Sequence, residues 1–232
     1  MASILSTMAQ LSHPDAALTI RGIPARPSPN LPSITSTIAS LVVSIMIRGD
    51  AVGGQRVGEL WSCLTLPNLR TLTVDPGISP GSRPLYWPSN QFKPLAARSS
   101  FHNTLRVLRI SRVFITEDEL TRALEYLGSR ERLEISDQPS HLLIKDFLLQ
   151  RLTQDSGPDA CLIPNLRYLY CAMFFRFTEE VYIDLILLRV GSFGGEPFHA
   201  VVHDLWNGED DRFDFAELVN SVDPERLRFQ LT

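Results

Sequence analysis

The feature that most constrains this chain is a short phrase that keeps returning. Pro67-Asn68-Leu69-Arg70-Thr71-Leu72, Asn103-Thr104-Leu105-Arg106-Val107-Leu108 and Pro164-Asn165-Leu166-Arg167-Tyr168-Leu169 share an N-x-L-R-x-L or P-N-L-R-x-L core, with weaker copies at Arg132–Ile135 and Arg226–Phe229. Each copy reads as a short strand. Between Asn103 and Ile135 the strand runs into a helix start with complete signals. Thr116 is placed as N-cap and Glu119 three residues on completes a capping box, flanked by Ile115 and Leu120 as a hydrophobic staple. Leu120, Ala123, Leu124 and Leu127 then fall on one helical face, and Gly128 is placed to close the helix in a left-handed conformation. Leu133–Ile135 begins the next strand. Strand, helix and strand in so few residues make a βαβ unit with parallel strands.

Neither the strand nor the helix of such a unit buries its apolar side alone, and stacking successive units side by side solves that. The expected fold is therefore α/β, an irregular leucine-rich-repeat-like solenoid with parallel strands on one face and helices on the other. It spans 33–232, after an N-terminal segment 1–32 that holds a first strand at Ala17–Ile20 and a proline-rich loop. Pro24, Pro27, Pro29 and Pro32 forbid helix there; the segment reads as a connector rather than a PxxP ligand.

Further elements follow the same logic. Ser33–Ser40 is weakly helical and Leu41–Ile47 is a buried strand. Val57, Leu60, Trp61 and Leu64 share a helix face, with Trp61 in the core. Residues 76–90 form a proline- and glycine-rich loop whose Tyr86 and Trp87 offer a second contact surface, and residues 154–164 form another loop. Phe92, Leu95 and Ala96 mark a short helix. Ser140 is placed to cap a helix through Leu152, and Thr178 to cap one that Gly191 ends, with Phe177 and Tyr182 as its staple. His199–His203 and Leu227–Leu231 read as strands, and Asp214–Val219 as a short helix.

Composition narrows the function. The 232 residues are 44% hydrophobic and 21% charged with net charge −4, an ordinary globular balance. A mildly acidic chain lacks the overall positive charge of nucleic-acid or anionic-membrane binders, so neither partner is expected, although a local basic patch stays open. Cys63, Cys161 and Cys171 are few, odd in number and set among apolar residues, which fits a reducing cytoplasmic or nuclear setting. Met1–Gln10 lacks the basic start of a signal peptide, and Ile38–Ile47 is too short to span a bilayer.

Catalytic patterns are thin. Phosphate-loop, dinucleotide and nucleophile-elbow motifs are missing, so no cofactor is expected. His199, His203 and Asp204 suggest metal ligands for a metal-dependent enzyme, but a zinc site needs a further ligand, and strand-edge histidines are the commoner reading. The acidic run Glu209, Asp210, Asp211 and Asp214 reads as a solvated loop. The remaining expectation is a surface. Strand residues between the buried leucines face away from the helices: Thr73 and Asp75, Arg109 and Ser111, Glu134 and Ser136, Tyr168 and Tyr170. Tyrosine beside arginine is the composition of protein-binding hot spots.

The phrases PNLRTLTV, NTLRVLRISRVFITEDEL, FLLQRLTQDSGPDACLIPNLRYLYC and FTEEVYIDLILLRVGS, between Val57 and Ser192, resemble the leucine-rich repeats of F-box proteins from mushroom-forming fungi. That resemblance implies a non-catalytic, intracellular protein-binding module, the substrate-recognition arm of a cullin–RING ubiquitin ligase. Its protein target is unspecified, and the ligase adaptor is a partner only if an F-box exists in the full-length product. An orphan scaffold without a ubiquitin link is the alternative. Two departures stand out. The turn asparagine of a regular repeat is replaced by Gly77, Val113 and Phe174, and Met1–Arg56 carries no F-box pattern.

Overall fold

A computed structural model describes residues 17–21, 32–44, 53–76, 85–136, 143–153, 162–173, 177–192, 197–204, 222 and 225–231. Eight strands form one sheet: β1 (Ala17–Arg21), β3 (Ser40–Ser44), β5 (Thr71–Val74), β7 (Val107–Ser111), β9 (Arg132–Ser136), β10 (Tyr168–Met173), β11 (Phe198–Asp204) and β12 (Leu227–Leu231). They lie in that order, and every neighbouring pair is parallel. Two small parallel pairs sit on the connections: β2 (Ile34–Thr35) with β4 (Leu64–Thr65), and β6 (Leu85–Tyr86) with β8 (Val113–Phe114). The helices are α1 (Gly53–Cys63), α2 (Ser89–Arg98), α3 (Phe101–Thr104), α4 (Glu117–Glu125), α5 (Asp146–Thr153) and α6 (Glu179–Ser192).

The expectation of a leucine-rich-repeat-like solenoid is corrected by this architecture. The chain builds a mixed α/β fold on one large continuous parallel sheet packed by helices. It lacks the short uniform strand–turn–helix units and horseshoe curvature of a leucine-rich repeat, and it is not an F-box architecture. The connections explain why. They differ in content, one holding α2 and α3 and another, among the described residues, α5 alone, and no turn asparagine regularises them. Val113, at one such turn position, belongs to β8. Ladders four to seven residues long, rather than a repeated turn, carry the sheet.

The recurring phrase has a local physical cause. Pro67-Asn68 and Pro164-Asn165 are the central residues of tight turns, in which Leu69 N–H donates to Leu66 O (3.2 Å) and Leu166 N–H to Ile163 O (3.2 Å). Proline suits the first central position because its φ is already set. The strand then starts by sharing one carbonyl of its neighbour: Arg106 and Val107 N–H both donate to Arg70 O, and Arg167 and Tyr168 N–H both donate to Glu131 O. That register places Leu41, Leu72, Leu108, Leu133 and Leu169 in one row, each wholly buried. At about 1.5–3 kcal/mol for each large apolar side chain buried, this row strongly favours the observed register.

Helix starts and ends follow local rules with several exceptions. Thr116 and Glu119 form the full capping box of α4, and Phe177 stacks on Tyr182 with ring centroids 5.2 Å apart. Gly128 does not adopt the left-handed conformation expected of it; α4 stops earlier, with Tyr126 at its C-cap. Gly191 lies inside α6 instead of ending it. Residues 33–40 hold β2 and the start of β3 rather than a helix, because parallel pairing with β4 and β5 outweighs weak helix propensity. Positions 45–47, Ser140, the loop at 154–161 and the helix expected at 214–219 lie outside the described residues. The sheet-facing sides of the helices join the buried strand residues in one core. Trp61 belongs to it, and so does Trp87, whose ring meets Trp61 edge-on at 4.9 Å.

Candidate functional site

Strands of four to seven residues alternate sides, so each one that buries leucines toward the helices offers its other residues to the opposite side. On β3, β7 and β9 the alternation is strict: wholly or nearly buried residues interleave with half-buried ones. The half-buried set, continued by Tyr168, Tyr170, His199 and Val201, makes one open face, and no described element packs on it.

All eight residues singled out in the sequence fall at half-buried positions on the strands of this sheet or at their ends. The register sorts them differently from their spacing. Thr73, Arg109, Glu134 and Tyr170 form one row. Ser111 and Ser136 lie side by side in the next. Asp75, at the end of β5, is paired with Arg112 at 2.7 Å. Tyr168 stands one row earlier, where its neighbours are Arg132 on β9 and His199 on β11, and beyond them Val107 and Arg228.

That earlier row adds two arginines that spacing missed, Arg132 and Arg228. The Arg132 guanidinium lies over the Tyr168 ring, 3.7 Å from its centroid, and Tyr168 stacks on His199 with centroids 6.0 Å apart. Arg132 Nε also donates to Glu134 Oε1, while Arg109 pairs with Glu134 Oε2 at 2.7 Å. One carboxylate therefore serves two arginines. Arg228, exposed on the edge strand β12, has no carboxylate partner among the described residues. Burial, Arg228 and Arg132 together hold the His199 imidazole below its ordinary value, so it stays neutral further into acid. Burial, then Tyr168, Glu134 and Cys171, push the Tyr170 phenol up.

The second contact surface expected at 76–90 is divided. Tyr86 is exposed, its ring against Phe114 at 5.4 Å, whereas Trp87 is core. Trp87 also lines a cleft of about 400 Å3 between α2 and α4, with Phe92, Lys93, Glu119, Arg122 and Tyr126 around it. Ser89 donates to Glu119 Oε1 there at 2.6 Å. Partial burial alone would raise the Glu119 carboxyl; donors from Ser89 and Thr116 outweigh it and hold it below the usual carboxylate value.

His199 is engaged with Tyr168, and the side chains of His203 and Asp204 lie outside the described residues. Among the described residues, no group of three metal-ligating side chains is assembled. Cys63 and Cys171 are free and buried, and burial pushes the Cys171 thiol up to about 12. No described helix is long and apolar enough to cross a membrane. No family model and no curated protein matches the chain.

Proposed function

We propose that this chain is a non-catalytic protein-binding module that holds its target on the open face of the parallel sheet. One observation carries the reading: a contiguous face of half-buried side chains, bearing Arg109, Arg132, Tyr168 and Tyr170, with no described element over it. Arginine and tyrosine are the residues most often dominant in binding energetics, because each combines a large apolar body with polar groups. The Arg109–Glu134 pair and the Arg132–Tyr168 stack hold three of them in place, which reduces the side-chain freedom lost on association. Buried, reduced thiols at Cys63 and Cys171 fit a cytoplasmic or nuclear setting.

The test is site-specific photo-crosslinking in cells. A benzoylphenylalanine at position 170 should give discrete protein adducts, whereas the same probe at Leu187, an exposed position on α6, should not. Absence of protein adducts at position 170 would overturn the proposal. A separate pull-down of the full-length gene product, probed for a cullin–RING ligase adaptor, tests the ubiquitin link without touching the binding reading.

A further inference from the structure

The occupant of the open face can be specified from its charges, on the reading that the face binds protein. We infer that it takes an extended acidic segment of a partner protein, laid across the strands from β9 to β12. Arg132 and Arg228 occupy the same row, with Tyr168 and His199 between them. Neighbouring strands lie about 4.8 Å apart, so three steps separate the two arginines by about 14 Å. A chain advancing about 3.3 Å per extended residue covers the gap with about four residues, placing carboxylates at both ends.

Arg132 is prepared for such a ligand. Its plane rests on Tyr168 and its Nε is committed to Glu134, which fixes the guanidinium while its terminal N–H groups have no partner among the described residues. A guanidinium fixed in this way offers parallel donors to a carboxylate at low entropic cost. Arg228 has no carboxylate partner among the described residues, and the neutral imidazole of His199 leaves the centre of the row uncharged. A spaced acidic peptide suits this pattern better than RNA. Its neutral residues can lie near Glu134, whereas a nucleic-acid backbone brings a phosphate at every step to a protein whose net charge is already −4.

A random-peptide library displayed on phage, panned on the full chain, on R132E/R228E and on Y170K, tests the inference. Wild type should enrich peptides with separated Asp or Glu residues. Their binding should fall by at least about tenfold in R132E/R228E and weaken steeply with salt. The charge-reversed protein should instead enrich Lys- or Arg-bearing peptides, a gain that an unfolded variant cannot produce; R228E alone, at an exposed edge position, serves if the double variant does not fold. Peptides that lack acidic residues yet depend on Tyr170 would overturn the acidic-segment inference and leave the binding-module reading standing. Peptides insensitive to all three positions, or none selected, would overturn both. Tighter binding of a single-stranded oligouridine than of the selected peptides would replace the acidic segment with nucleic acid.

Discussion

Two buried arginines offer a matched experiment on what buried charge does in this fold. Arg189 on α6 is 2% exposed and donates from Nη1 to Pro164 O (3.0 Å) and from Nη2 to Leu152 O (2.6 Å). It ties α6 to the end of α5 and to the turn before β10. Arg130, before β9, is 0% exposed, and none of its three nitrogens has a hydrogen-bond partner among the described residues. Burial pushes its guanidinium well below the usual arginine range. Methionine preserves most of the apolar stem in both places, so the substitution isolates the charged head. At Arg189 the loss includes two charge-assisted bonds at about 1.5–3 kcal/mol each, offset in part by relief of desolvation, for a net destabilisation of about 3 kcal/mol. In a chain of this size that lowers Tm by about 6–12 °C. At Arg130 nothing is lost but an uncompensated charge, so Arg130→Met should be neutral or stabilise by up to about 2 kcal/mol. Urea unfolding of both variants, read by circular dichroism with matched m-values, gives the comparison. Equal destabilisation by the two substitutions would refute the assignment of their roles.

Three further outcomes are expected. Thr116→Ala removes the acceptor for Glu119 N–H and should cost about 1 kcal/mol in urea unfolding, with loss above about 3 kcal/mol contradicting a purely local cap. Because the folded His199 imidazole binds its proton at lower pH than the ordinary 6.5, the unfolded chain holds more protons in the window beneath that value. Stability should therefore fall as pH drops through that window, and His199→Gln should flatten the fall in Tm; an unchanged slope would exclude His199 as its source. In a Cys161→Ser chain, Cys63 and Cys171 should resist Ellman's reagent at pH 8 until denaturant is added, since burial raises both thiols. Prompt stoichiometric reaction of the native chain would show that the strand bearing Cys171 opens readily.

Much of this protein is legible in its sequence because much of it is local. The Thr116–Glu119 cap, the Phe177–Tyr182 contact and the alternation along β7 and β9 each involve residues a few positions apart, and their geometry follows from nearest-neighbour chemistry. The periodic leucines likewise specified which strand face is buried. What spacing misjudged was the sheet as a whole, since the connections between strands vary and only pairing reveals one continuous ladder.

The candidate site shows the same division. Alternation put Thr73, Arg109, Glu134 and Tyr170 on one face, but their shared row depends on register, and register is a property of paired strands. Arg132 and Arg228 carried no binding signal in the sequence, and His199 was marked there only as a metal ligand, because they share a row with Tyr168 only through strands far apart in the chain. Tertiary structure alone also decided how the helix ends are tied. Arg98 donates to Trp61 O and Leu64 O at the end of α1, Glu117 accepts from Leu148 N–H at the start of α5, and Asp146 accepts from Thr178 N–H at the start of α6. Cations at helix C-termini and carboxylates at N-termini complement the exposed peptide dipoles. The sequence supplied these charges, and packing chose their partners, because a charge selects its partner by distance through space.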